Sequence, residues 1–166
     1  DDSKLIYKIA YTYYNEGQWQ SCFKQLEIAM KMHRLQPEFN LLAGECKMKL
    51  GLFKDAAQYF SNMVRVRPKS MVGWEALIRC LFNAESFEDA LEQTNTALKM
   101  TKGKPIFLFY KSAVLFALNK GKEAILQLEE AMRQAPKLLK RFVELNPSIL
   151  QSQQVVDVIA RYKRNK

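Results

Sequence analysis

The sequence predicts an all-α fold, a solenoid of antiparallel helical hairpins, and three observations point to it. Residue classes recur every 34 positions: Cys22, Ala56, Ala90 and Ala124 form one series, and Ala29, Met63, Ala97 and Ala131 another. Trp19, Phe53 and Phe87 keep the same step, as do Gly17 and Gly51, while Pro68 and Pro136, like Pro37 and Pro105, are two steps apart. A fixed period of that length is the mark of a repeat architecture in which each unit buries its apolar face against the next. Within each period the apolar residues fall at i, i+3, i+4 and i+7, the stripe of an amphipathic helix. Gly and Pro are scarce, 6 and 5 in the chain, and punctuate the boundaries instead of forming long loops.

The elements follow in order, as units of about 3–36, 37–70, 71–104 and 105–138. The first unit opens with a helix carrying Ile6, Ile9, Ala10 and Tyr13, turns at Gly17 and returns through Trp19 and Cys22. In the second, Leu41, Leu42, Gly44 and Met48 share a stripe, Gly51-Leu52-Phe53 makes the turn, and Ala56, Tyr59, Phe60, Met63 and Val64 form the return stripe that Pro68 ends. Gly44, with Ala10 and Ala56, is small for a steric reason, because a large side chain there would hold the paired helices apart. The third unit carries Trp74, Leu77, Ile78 and Leu81, then Ala90, Ala97 and Leu98. The fourth places Ser112-Ala113 and Phe116 on its first helix if the turn Asn119-Lys120-Gly121 is one residue short. Residues 139–166 depart from the pattern. A short helix over Leu139–Leu145, a break at Asn146-Pro147-Ser148 and a last amphipathic helix with Val155, Val156, Ile159 and Tyr162 read as a C-terminal cap over the apolar end of the stack.

The stretch Trp74-x-x-Leu77-Ile78-x-x-Leu81, completed by Ala90 and Ala97-Leu98, resembles the W-x2-L-G-x2-Y signature of tetratricopeptide repeats. The resemblance covers roughly residues 3 to 138 as four units, and the closing segment looks like the ends of some bacterial members. It implies a single domain wound as a right-handed superhelix, whose first helices line a concave face that binds a peptide or a protein segment. It is specific for fold and unspecific for partner.

On those helices the residues rotated off the core stripe are Lys4, Tyr7, Tyr11 and Tyr14 in the first unit. Leu41, Glu45 and Met48 follow in the second, Glu75, Arg79 and Phe82 in the third, and Phe107, Tyr110 and Val114 in the fourth. Tyr and Arg are enriched at binding hot spots, and aromatic bodies with a polar tip supply contact area at low entropic cost. The same rings could instead pack between neighbouring hairpins. Some tetratricopeptide domains clamp the C-terminal carboxylate of heat-shock chaperones with Lys, Asn and Arg. Here the matching positions hold Tyr7, Tyr11, Glu45 and Glu75, and only Arg79 would suit a carboxylate, so no such clamp is expected. A partly apolar peptide carrying a basic residue for Glu45 or Glu75 fits better.

Composition excludes other classes. At 48% hydrophobic and 26% charged residues the chain reads as an ordinary soluble protein, and no run approaches the roughly 20 apolar residues of a membrane span. The compartment stays open, with the cytoplasm slightly favoured over the periplasm or export. The chain opens at Asp1-Asp2-Ser3 without a methionine, which leaves room upstream for a removed signal or for further repeats that would cover the first-unit tyrosines. Cys22, Cys46 and Cys80 show no CxxC pairing and read as small buried residues, Cys46 and Cys80 at equivalent places of two units. A Ser-His-Asp triad or a multi-histidine metal site would have to pass through His33, the only histidine, which lies near a helix end beside Lys31 and Arg34 and reads as a solvated helix end. No Gly-rich phosphate loop is present, and Gly17, Gly51 and Gly121 read as turn residues. No enzyme activity, cofactor or metal is expected.

The net charge of +9 is uneven, because residues 137–166 hold seven Lys and Arg against two acidic residues, a local +5. The cluster Arg161-Tyr162-Lys163-Arg164-Asn165-Lys166 therefore carries a second reading, a nucleic-acid or anionic-surface contact, beside that of a solvated helix end suited to the helix dipole.

Overall fold

The structure is a computed structural model that describes residues 1–164, except for the side chain of Arg164. Every regular element among them is helical. Five helices start in strict period: α1 (Ser3–Asn15), α3 (Pro37–Lys49), α5 (Met71–Asn83), α7 (Pro105–Ala117) and α9 (Leu139–Leu145). Their return partners are α2 (Trp19–Met32), α4 (Phe53–Val66), α6 (Phe87–Met100) and α8 (Gly121–Gln134), with α10 (Gln153–Arg164) closing the chain. Pro37 and Pro105 open their helices at the first-turn position, where the missing N–H costs nothing. Ser70 caps α5, its Oγ accepting from the Gly73 amide at 3.1 Å.

The turns keep the period more faithfully than the residues in them. Gly17 and Gly51 have φ of +75° and +76°, and Glu85 and Asn119, one and two periods further on, have +58° and +60°. Left-handed backbone is easy for Gly, tolerable for Asn and costly for Glu. This corrects the reading of the fourth unit: its turn is not one residue short, because Asn119 takes the left-handed place and Gly121 is the first residue of α8. Ser112, not a neighbour, then occupies the place of Gly44, two periods earlier. It is buried, its Oγ donating to the Ala124 carbonyl at 2.7 Å.

The chain forms two compact units, Asp1–Ala84 and the residues from Glu85 onward. In the first, α1 packs on α2, α2 on α3, α3 on α4 and α4 on α5. Ala10, Cys22, Leu26, Ala29, Phe39, Leu42, Ala43 and Cys46 make one buried cluster in it. Close approach of α3 and α4 depends on Gly44: a methyl there would overlap the buried Phe60 ring, 2.6 Å from its Cζ and nearer still to Cε1. All three cysteines are buried free thiols. Cys22 and Cys46 face each other at 2.9 Å between their sulfurs, and Cys80 donates to the Phe53 carbonyl at 2.6 Å. Burial pushes the Cys80 thiol up to about 12.

In the second unit α6 packs on α7 and α7 on α8. The segment read as a cap keeps the 34-residue register, although α9 and α10 do not pack along each other as α7 and α8 do. α9 begins 34 residues after Pro105, and the buried Val155 and Val158 stand 34 after Gly121 and Ala124. Only its first helix is abbreviated, to seven residues. α9 packs on α7 through the Phe109–Phe142 ring pair, 5.9 Å between centroids, and α10 packs on α8.

Candidate binding surface

The first unit gathers most of the sequence candidates on α1, α3 and α5. Three of the four α1 tyrosines form a ladder, with ring centroids 6.3 Å apart from Tyr7 to Tyr11 and 6.4 Å from Tyr11 to Tyr14. Its two ends are anchored: Tyr7 stacks on Phe39 of α3 at 5.5 Å, and Tyr14 meets Trp19 of α2 edge-on at 5.1 Å. The middle ring, Tyr11, is 49% exposed. Burial raises the phenol pKa of Tyr7, with lesser contributions from Tyr11 and Glu38, and raises that of Tyr14, where Glu45 is the next cause. Both hydroxyls therefore stay protonated donors at neutral pH.

Leu41, Glu45 and Met48 are half-buried on α3. Arg79 is exposed on α5, its Nε donating to the Glu75 carbonyl at 3.4 Å, and Phe82 is half-buried. Glu75 is only 7% exposed, so its carboxylate offers a ligand little surface. In the second unit Tyr110 lies inside at 2% exposure, its ring edge-on to Phe107 at 6.3 Å, and Phe107 and Val114 are fully buried. There the α7 positions expected to face a groove face neighbours instead.

A concavity of about 600 Å³ beside the ladder brings Lys4 and Tyr7 of α1 together with Glu38 and Phe39 of α3. Glu38 also holds Arg67 at 3.1 Å, and desolvation, the largest influence on its carboxyl, is outweighed by hydrogen bonds and Arg67, so that its pKa is lowered. His33, read as a solvated helix end, is exposed and pairs with the Asp1 carboxylate at 2.5 Å. Sequence reasoning missed two cations laid over rings: Lys47 Nζ lies 3.9 Å from the Phe23 centroid and Lys49 Nζ 5.6 Å from that of Trp19. Their signal would have been a Lys on a first helix facing an aromatic of the return helix, which a pattern tuned to apolar stripes skips.

The basic C-terminal cluster is partly engaged within the second unit. Arg161 lies 3.7 Å from Glu129, and Arg133 donates to the Tyr162 hydroxyl at 3.2 Å. Asn165, Lys166 and the Arg164 side chain, which complete that cluster in the sequence, lie outside the described residues. Among the described residues no helix is long and apolar enough to cross a membrane.

This is a tetratricopeptide-like helical repeat fold, and solved structures match it over nearly the whole chain. MamA from Desulfovibrio magneticus RS-1 superposes with a TM-score of 0.69 at 15% identity, over 99% of this chain and 94% of that one. Another MamA crystal structure gives 0.75 at 15% identity, over 98% and 88% of the two chains. A thermophilic tetratricopeptide-repeat protein of Thermus thermophilus gives 0.61 at 17%, over 98% and 97%. At such identities the likeness is one of fold. No protein-family profile matches the sequence, and no curated protein does.

Proposed function

We propose that the chain is a non-catalytic interaction scaffold that holds a peptide or protein segment against the first-helix face of its first unit. The observation that carries this is the tyrosine ladder of α1, in which an exposed Tyr11 stands between two rings already fixed by Phe39 and Trp19. A ring held in place before binding loses little conformational freedom on contact. Leu41 and Met48 supply apolar surface beside it, and Glu45 and Arg79 supply polar register. Glu75 and Phe82 support that surface from within more than they present it, and Tyr110 is buried in the second unit instead. With Glu45 and Glu38 near the ladder, a partly apolar segment bearing a basic residue is the ligand of choice, and an acidic C-terminal tail is disfavoured. The protein works by binding without turnover, and no cofactor enters.

Proteins co-purifying with the chain test this. Those bound through the ladder are lost in Tyr11→Ala/Arg79→Ala and kept in a chain truncated after Ala160. Retention in the double variant sinks the reading. Loss on truncation with steep salt dependence would instead favour nucleic acid or an anionic surface. An EEVD-type peptide binding at micromolar affinity would remove the argument against a carboxylate clamp.

A further inference from the structure

Two of the three buried thiols lie together, at the junction between the first hairpin and the second. Cys22 on α2 and Cys46 on α3 are both fully buried, and the Cys46 thiol donates to the Cys22 sulfur at 2.9 Å. They belong to the cluster that also holds Phe39, the residue on which Tyr7 stacks. The period shows that packing here asks only for two apolar residues of modest size. One step on, the same positions hold Ala56 and Cys80, and two steps on, Ala90 and Val114, all of them fully buried. Only the first junction puts a sulfur on both sides. The second shows what a single thiol does in that place. With Ala56 where Cys22 would be, Cys80 turns to the backbone and donates to the Phe53 carbonyl at 2.6 Å.

The pair is close to covalent geometry. A disulfide draws its sulfurs to about 2.05 Å, so under about 1 Å is left to close. Two departing hydrogens leave the tightly packed core no larger than before. The Cys46 hydrogen bond outweighs burial and holds the Cys22 thiol below its usual pKa, which makes Cys22 the attacking sulfur. Access comes from local opening. The first hairpin, α1–α2, packs on the second through α3 and through the Phe23–Tyr59 ring pair, and hairpins that touch only their neighbours open without the rest of the chain.

We propose that Cys22 and Cys46 are the site of a reversible disulfide that staples the first hairpin to the second, with hydrogen peroxide as the oxidant. The Cys22 thiolate attacks one peroxide oxygen and the O–O bond breaks. Its sulfur becomes a sulfenic acid, and the leaving hydroxide takes up the proton that Cys22 has shed. The Cys46 sulfur then attacks that of Cys22. The S–S bond forms as the S–O bond breaks, and the second hydroxide leaves as water with the Cys46 proton. Two thiols lose two electrons, and one peroxide becomes two waters. The bridge closes a loop over residues 22–46 and joins α2 to α3, so the motion it suppresses is the opening that admitted the oxidant. A small thiol reverses it by exchange.

In the test, the reduced full chain is treated with hydrogen peroxide in native buffer, quenched, unfolded in urea and alkylated with N-ethylmaleimide. Peptide mapping should find Cys22 joined to Cys46 within one chain and the label on Cys80 alone, and dithiothreitol should restore all three labels. Hydrogen exchange should slow at least about tenfold across α1 and α2 in the oxidised chain and return on reduction. Cys22→Ala installs the residue that Ala56, Ala90 and Ala124 supply in later repeats, so it should fold, and it should lose the bridge and the slowed exchange. Cys80→Ala should keep both. Three labelled cysteines after peroxide overturn the proposal, as do sulfinic acid or a bridge through Cys80 in its place. So does a Cys22–Cys46 bridge that forms only when the oxidation is done in urea, or one that leaves α1 and α2 exchanging as fast as before.

Discussion

The second hairpin, α3–α4, and the last, α9–α10, start in the same register and are held by different means. In α3–α4 two full-length helices meet through a missing side chain: Gly44 lets the Phe60 ring lie where a methyl would be. In α9–α10 the first helix is half as long, and it seats one buried ring, Phe142, on Phe109. The period thus fixes where helices begin, while side-chain volume and helix length decide how tightly each hairpin closes. A regular hairpin is closed by its successor; beside α9 and α10 lies a groove that no described residue fills.

The largest effect should come from breaking the anchor of the abbreviated hairpin. Phe142 is fully buried, so Phe142→Ala leaves a cavity worth about 3–5 kcal/mol. Because each repeat touches only its neighbours, the loss should be local. Hydrogen exchange should show protection falling across α9 and α10 while α1–α4 keep theirs. Uniform loss over both units would mean that the last hairpin is no separate element.

Closing the gap in the regular hairpin comes next. Gly44→Ala forces its methyl into the Phe60 ring, and overpacking of a tight core costs about 1–3 kcal/mol. Urea unfolding of the first unit should read that loss, and Phe60→Leu in the same chain should recover part of it through coupling of the two sites. A Gly44→Ala chain as stable as the parent would show that α3 and α4 slide apart without penalty.

What the sequence discloses follows the same division. Helix starts, the small residue at Gly44 and the burial of the cysteines are legible because period and sterics act locally. The fourth turn is misread because the left-handed place is taken by Asn119, and a search for Gly slides to Gly121. Glu85, in the same place one period earlier, gives even less warning. Tyr110 and Glu75 lie on the expected helices, yet their burial depends on what packs against them, and helical spacing does not specify that. The groove between α9 and α10 is visible only once helix length is known, since Pro147 announces the break and not the space it leaves.

The turns allow a sharper test of whether position or residue type governs. Gly51→Ala puts a side chain into a left-handed backbone and should cost about 1–2 kcal/mol, although nothing lies near enough to clash. Glu85→Gly, one period on, should run the other way and stabilise by up to about 1 kcal/mol, the relief of φ exceeding the added freedom of the unfolded chain. Thermal unfolding followed by circular dichroism would rank the two against the parent chain. If both substitutions destabilise, the left-handed geometry at Glu85 is supported by contacts of its carboxylate that a glycine forfeits.

The smallest effect should come from the glycine that only looks like its relatives. Gly121 stands two residues past a left-handed Asn119, opens α8 with an ordinary backbone, and has open space where a Cβ would go. Gly121→Ala gains helix propensity and meets no obstacle, so it should change stability by no more than about 0.5–1 kcal/mol, and upward. Asn119→Ala should cost instead, since alanine lacks the short polar side chain that eases the left-handed region. Opposite signs at two positions so close in one turn would place the period's constraint on backbone geometry at the fifteenth position of each hairpin, whatever residue stands there. A destabilising Gly121→Ala would return that constraint to the glycine and restore the shortened turn.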